Sequence, residues 1–194
     1  MNACSKQFNW DVALVDFEEL LDQYEKPIYN LILRLVGDAD EAADLTQDVF
    51  VSAYKNADSF RSDSSEYTWL YRIAVNRCKN RFRQMVRKKV KDTFSLDDEA
   101  NRYDSAEPLA ASKTPETPWE SLDRKELRKH IEEAIIRLPY DHRVVVVLRD
   151  MQDMTYQEIC DVIGVTADIV RTRLARARSS LRKTLEPYIR GHYS

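Results

Sequence analysis

Apolar residues recur every three or four positions along most of the chain, the spacing of one face of an α-helix. Phe17, Leu20, Leu21 and Tyr24 begin the first stripe, and Ile28, Leu31, Ile32 and Leu35 continue it. Pro27 lies between them, so the pattern predicts that a helix ends there or that a second one opens. Gly37 is placed to stop it, and Asp38 or Asp40 to start another helix, with Ala42, Leu45, Val49, Ala53 and Ala57 on its apolar side. Asp40, Glu41, Asp44, Gln47, Asp48 and Ser52 fall outside that stripe. An acidic outer face of this kind is either simply solvated or a docking surface for a basic partner.

Residues 59–69 form a polar stretch that holds aromatics, Ser59-Phe60-Arg61-Ser62-Asp63-Ser64-Ser65-Glu66-Tyr67-Thr68-Trp69. It leads into a helix over Leu70 to Arg87, with Leu70, Ile73, Ala74, Cys78 and Phe82 facing inward. Arg72, Asn76, Arg77, Lys79, Asn80 and Arg83 face outward. Aromatics beside a basic, asparagine-bearing helix suit single-stranded nucleic acid, since unstacked bases lie on rings, amides read base edges and cations hold phosphates. Trp69 is read as core rather than as a stacking platform.

From about Lys88 to Thr117 the helical period fails, and Pro108, Pro115 and Pro118 interrupt a run rich in acids. The composition predicts a linker, largely disordered in isolation, which is too long for a loop inside one compact domain. The period resumes from Trp119 to Arg137, with Leu122, Leu127, Ile131, Ala134, Ile135 and Leu138 on the apolar side. Pro139 breaks it, and Asp141 is placed to cap a further helix over Arg143 to Arg149. That helix contains Val144-Val145-Val146-Val147, a run that by intrinsic preference reads as strand. It stands alone among helices with no pairing partner, so a helix is expected.

Met154 to Lys183 carries the densest signal. Thr155 and Glu158 have the spacing of a capping box, Tyr156, Ile159 and Ile163 make one apolar face, and Gly164 sits where that helix must stop. Thr166 is a second capping residue, and Asp168 favours the positive end of the next helix. There Val170, Leu174, Ala177 and Leu181 form the inner stripe. Arg171, Thr172, Arg176, Ser179 and Lys183 lie outside, flanked by Arg173, Arg178 and Arg182. A helix–turn–helix with a basic outer face is shaped for a major groove; the bland reading is a helical hairpin with a solvated basic side.

Charge sharpens this picture. The net charge of −3 argues at first against a nucleic-acid partner, but the average hides blocks of opposite sign. Between Arg61 and Lys91 the balance is roughly +8, and between Asp92 and Glu126 roughly −6. Two basic blocks separated by an acidic one suggest two nucleic-acid surfaces and a linker that avoids them. Only three glycines point to helices rather than a turn-rich β fold. Cys4, Cys78 and Cys160 lack metal-ligand spacing and fit a reducing cytoplasm. No apolar run spans a bilayer, no signal peptide opens the chain, and no repeat is evident.

The words Asp44-Leu45-Thr46-Gln47-Asp48-Val49-Phe50, Ser59-Phe60-Arg61 and Tyr67-Thr68-Trp69-Leu70-Tyr71-Arg72-Ile73-Ala74-Val75-Asn76 belong together. With Leu138-Pro139, Leu148-Arg149, Thr155-Tyr156-Gln157-Glu158-Ile159 and Val170 to Arg178, they resemble an extracytoplasmic-function sigma factor, the smallest type of bacterial transcription initiation factor. The resemblance covers nearly the whole chain, in order. It implies an all-α protein of two small helical domains joined by a flexible acidic linker. The divisions are a lead-in over 1–16, a region-2-like domain over 17–87, the linker over 88–118 and a region-4-like helix–turn–helix domain over 119–194.

By the same resemblance Asp44, Gln47 and Asp48 dock on the clamp helices of the largest subunit of core RNA polymerase, and the other domain meets the flap. Phe60, Arg61, Asp63, Ser64, Arg72, Asn76 and Asn80 would read and melt the −10 element, holding one flipped base. Arg171, Thr172, Ala175 and Arg176 would read the −35 element of promoter DNA, and an anti-sigma factor is an expected partner. Many members have Gly-Thr where Asp168-Ile169 stands here, and an acid there would repel a phosphate or accept from a cytosine amine. Ala175 is smaller than the residue in many relatives.

The expectation is a cytoplasmic promoter-specificity subunit, with no cofactor, no metal and no catalytic residue. The competing reading is a helix–turn–helix regulator that acts without being a polymerase subunit, which leaves the acidic helix and aromatic loop without a role. A helical adaptor with no DNA role is a further rival. An enzyme is disfavoured, because His130, His142 and His192 have no partners at ligand spacing and no phosphate-binding glycine loop is present.

Overall fold

The computed structural model describes residues 17–57, 65–92 and 118–191. Among them every regular element is helical: α1 (Phe17–Val36), α2 (Ala39–Lys55), α3 (Glu66–Asp92), α4 (Pro118–Ile136), α5 (Tyr140–Val146), a π-helical turn (Val147–Met151), α6 (Tyr156–Ile163) and α7 (Ala167–Gly191).

α1 runs straight through Pro27, contrary to the predicted break. Pro27 forfeits one backbone hydrogen bond, a cost of about 3 kcal/mol in a helix interior. Leu20 before it and Ile28, Leu31, Ile32 and Leu35 after it are all buried, at 3% exposure or less. Each such side chain gains roughly 1.5–3 kcal/mol from burial, so a kink that swung half the stripe off the core would cost more than the missing bond. Gly37 closes the helix at φ 82°, and its N–H donates to Leu33 O at 2.8 Å. Asp38, not Asp40, caps α2: its Oδ1 accepts from the Glu41 N–H at 2.7 Å. Ala42, Leu45, Val49 and Ala53 are buried as expected, whereas α2 ends at Lys55 and leaves Ala57 exposed.

α3 is longer than expected at both ends, starting at Glu66 and continuing through residues 88–92 of the expected linker. Leu70, Ala74 and Cys78 are buried, and so are Tyr71 and Val75, while Phe82 is 37% exposed and stacks on Tyr140. The second side of α3 is buried because α5 and α6 pack on it as well as α1 and α2. Residues 58–64 and 93–117 lie outside the described residues.

The two groups of helices, α1–α3 and α4–α7, therefore share one hydrophobic core. Polar bonds cross the seam. Tyr71 Oη donates to Gln152 Oε1 at 2.9 Å, and Tyr140 Oη to Val75 O at 2.9 Å. The buried Arg143 guanidinium donates to Leu35 O at the end of α1 and to Ile136 O and Leu138 O at the end of α4. Leu35 O and Ile136 O lie at helix ends without an intrahelical donor, and Leu138 O lies just beyond α4, so one cation serves two helix termini at once.

Asp141 does not cap α5. Pro139 holds the cap position without a side-chain bond, and the Asp141 carboxylate instead takes Arg173 of α7 at 3.0 Å. The valine run is helical, with Val144 to Val146 closing α5 and Val147 opening the π turn. Burial on all sides overrides the strand preference of four valines, each 3% exposed or less.

Candidate nucleic-acid interfaces

The helix–turn–helix forms as its spacing predicts. Thr155 Oγ1 accepts from Glu158 N at 3.2 Å and Thr155 N donates to Glu158 Oε2 at 2.7 Å, a complete capping box. These bonds favour the ionised carboxyl, so Glu158 titrates below its ordinary range. α6 ends at Gly164, which takes the left-handed conformation at φ 69°. Ile159 and Val162 are buried under it, with Tyr156 and Ile163 half-buried. Thr166 precedes α7 and its carbonyl accepts from Val170 N at 3.1 Å.

On α7, Val170, Leu174 and Ala177 are buried, which turns Arg171, Thr172, Ala175, Arg176, Ser179 and Lys183 outward, all exposed. The flanking arginines have a structural task. Arg173 pairs with Asp141, and Arg178 makes two bonds to Asp150 in the π turn, which raises the pKa of its guanidinium. They clamp the inner edge of α7 against α5 and the turn. Thr172 Oγ1 donates to Asp168 O at 2.8 Å, so its oxygen faces out as an acceptor only. Arg171 Nη1 donates to Asp168 Oδ1 at 2.9 Å, whereas Arg176 has no hydrogen-bond or ion-pair partner among the described residues.

The second basic surface lies on α3. Arg72, Asn76 and Asn80 are exposed at intervals of four residues, one above another on the same face. Arg72 Nε donates to the Asp161 carbonyl of α6 at 2.9 Å, so the first of the three is held against the helix–turn–helix. Phe60, Arg61, Asp63 and Ser64 lie outside the described residues. Trp69 is half-buried and packs against the core.

On α2, Asp44, Gln47 and Asp48 are exposed together. Glu41, expected to share that face, has instead turned to Arg81 of α3 in an ion pair. Two apolar residues that the polar pattern hid join the acidic face: Val51 is 51% and Tyr54 53% exposed. The acidic patch is thus edged by two exposed apolar side chains.

The residues that bind the two halves together were not legible as such. Gln152 and Arg143 carry no periodic signal, and only the odd placement of Tyr67 and Tyr71 beside Trp69 hinted at a second buried side of α3. Among the described residues no group of His, Cys, Asp and Glu is arranged to hold a metal ion, and no helix is long and apolar enough to cross a membrane.

Comparison with known proteins gives these surfaces their context. Residues 20–88 match the family model Sigma-70 region 2, and residues 128–181 match Sigma-70, region 4. The RNA polymerase sigma-H factor of Pseudomonas aeruginosa is 35% identical over 90% of this chain and 88% of its own length. The ECF RNA polymerase sigma-E factor of Escherichia coli K12 is 35% identical, again over 90% of this chain and 88% of its own. The fold is similar to that of sigma factor RpoE in complex with the anti-sigma factor NepR from Bartonella quintana. That match has a TM-score of 0.70 and 22% identity, covering 89% of this chain and 98% of that one. CnrH in complex with the cytosolic domain of CnrY matches with a TM-score of 0.60 and 21% identity, over 88% of each chain. The all-α chain, with its helix–turn–helix half and its second basic helix, thus belongs to the sigma-70 family as an extracytoplasmic-function sigma factor, a subunit that directs transcription initiation.

Proposed function

We propose that the chain binds core RNA polymerase through the α2 face and reads a promoter at two places. Asp44, Gln47 and Asp48, with Val51 and Tyr54 beside them, dock on the clamp helices of the largest subunit, and the region-4-like half meets the flap. Arg72, Asn76 and Asn80, with Phe60, Arg61, Asp63 and Ser64, read and open the −10 element. Arg171, Thr172, Ala175 and Arg176 read the −35 element. These separate tasks divide the chain into residues 17–87 and 119–194, with α3 running on through Asp92 and α4 opening at Pro118 on either side of the intervening linker. Each half alone binds DNA weakly, and attachment to polymerase supplies the avidity.

The observation that carries this reading is the pair of exposed basic helix faces, on α3 and α7, each backed by a buried apolar stripe in the same chain as an exposed acidic face. Arg72 bonds to Asp161 O through Nε alone, so its two terminal nitrogens remain exposed and available to DNA. An anti-sigma factor is a natural partner, since a structural relative was solved bound to one, and the site of action is the cytoplasm.

The test is transcription by purified core polymerase on duplex templates with a randomised promoter region. The expected result is enrichment of two short motifs separated by a fixed spacer. Charge reversal at Asp44 and Asp48 should weaken polymerase binding by about tenfold, more at low salt than at high, with little change in thermal stability. Binding to DNA of full strength without polymerase, and no association with polymerase at low salt, would favour the independent regulator instead.

A further inference from the structure

The outer face of α7 holds two exposed arginines in different states. Arg171 is contacted from two sides. Its Nη1 donates to Asp168 Oδ1 at 2.9 Å, and its guanidinium carbon lies 5.9 Å from the ring centre of Tyr156, within cation–π range. Tyr156 is itself half-buried at the start of α6, and Arg149 lies 5.4 Å from the same ring, held by a bond to Met154 O. Arg176, one turn and a half further on, has no such partner among the described residues.

The bond to Asp168 uses only Nη1. The Nε–Nη2 edge of Arg171 has no partner among the described residues, and it carries two parallel N–H groups. Guanine presents two acceptors, O6 and N7, in the major groove, and an arginine edge meets them bidentately. A guanidinium biased toward one orientation loses less rotamer freedom at the moment of binding. Both members of the Asp168–Arg171 pair are largely exposed, with side-chain accessibilities of 88% and 65%. An exposed pair of this kind is weak, which biases where the guanidinium points without locking it.

We propose that Asp168, with the Tyr156 ring, is a positioning residue that sets Arg171 to read one guanine of the −35 element, while Arg176 serves as a sequence-neutral phosphate contact. This rests on the reading of α7 as the −35 helix. Asp168 acts through Arg171 and does not itself touch the base. It also sets a negative charge at the start of the groove-facing helix, which lowers affinity for DNA of every sequence.

The experiment uses the full chain with core polymerase and a template library randomised across the −35 region. The wild type should enrich guanine at one position. Arg171→Ala should abolish that preference, and Arg176→Ala should keep it while lowering output evenly and reducing the salt slope of binding by about one. Asp168→Asn should weaken the guanine preference roughly threefold to tenfold, part of what a bidentate pair supplies, and raise sequence-neutral binding. Asp168→Glu should restore part of the preference, and Asp168→Asn should add nothing once Arg171 is alanine. An unchanged preference profile in Asp168→Asn overturns the proposal. So does a further loss in the double variant, which would make Asp168 a direct reader of a cytosine amine. A wild type that transcribes from the library with no −35 preference would instead remove the reading of α7, leaving the two failures distinct.

Discussion

The phenol of Tyr71 donates to Oε1 of Gln152 at 2.9 Å, joining α3 to the segment after the π turn across 81 residues of sequence. Tyr71 is fully buried, and burial pushes its pKa far above the ordinary value, so the hydroxyl remains a donor at any physiological pH. The neighbouring Tyr67 lies 4.2 Å away ring to ring, and its hydroxyl donates to Gln152 O at 3.4 Å. Gln152 thus receives both phenols.

Removing the acceptor should therefore hurt more than removing the donor. Gln152→Ala leaves a buried hydroxyl short of its partner, a cost of about 1–3 kcal/mol, whereas Tyr71→Phe removes a net bond worth about 1 kcal/mol. Urea unfolding of both variants gives the comparison. A neutral Gln152→Ala beside a costly Tyr71→Phe would mean that ring packing, not the hydrogen bond, holds the seam.

Gly164 gives a cleaner test of backbone strain. A Cβ built there meets nothing within 4 Å, so no clash confuses the result. The cost of alanine is then that of a left-handed residue alone, about 1–2 kcal/mol. Unfolding free energies of Gly164→Ala and Gly164→Asn should differ, with asparagine the milder change. Equal losses would show that something other than the φ angle governs the site.

The capping box makes stability depend on pH on the acid side. Glu158 is held below its ordinary pKa of 4.5 by the Thr155 hydroxyl first and the Thr155 N–H second. Its contribution is present in full above that value and is lost as pH falls through the lower folded value. The difference in unfolding free energy between wild type and Glu158→Gln should be flat near neutrality and shrink below about pH 4.5. A difference that persists unchanged into acid would assign the effect to packing rather than to the carboxylate.

Thiol chemistry should separate two cysteines. Burial pushes the Cys78 thiol up to about 12, with the Glu41 carboxylate adding to the rise. It should resist alkylation in the native protein at mildly alkaline pH and react only on unfolding, while the half-buried Cys160 reacts sooner. Mass spectrometry of the alkylated peptides reads the order, and fast native labelling of Cys78 would show that α3 opens from the core far more readily than its packing implies.

The helix–turn–helix was legible because its signals are local. A capping hydroxyl, a carboxylate three residues on and a glycine at the stop are short-range choices, and the chain obeys each. The cap of α2 was narrowed to Asp38 or Asp40 for the same reason, and the structure selects Asp38. Pro27, Asp141 and the extent of α3 were misjudged because tertiary burial decided them. A proline is tolerated when the stripe on either side of it is buried, and Asp141 prefers Arg173, 32 residues away on α7, to its own backbone. On the candidate surfaces, the outward arginines of α7 followed from periodicity alone. The links of Arg171 to Asp168 and Tyr156, and of Arg72 to Asp161, required the helices to be placed in space.

Arg143 lends its charge to the last carbonyls of α1 and α4 together, across 108 residues in one direction and only a handful in the other. The interior it serves has no internal border. A methyl group trimmed from the valine cluster is accordingly felt against α1 and α3 as well as against the groove-facing α7. Neither end of the molecule can be retuned in private, and any event that pries one loose must first spend energy on both.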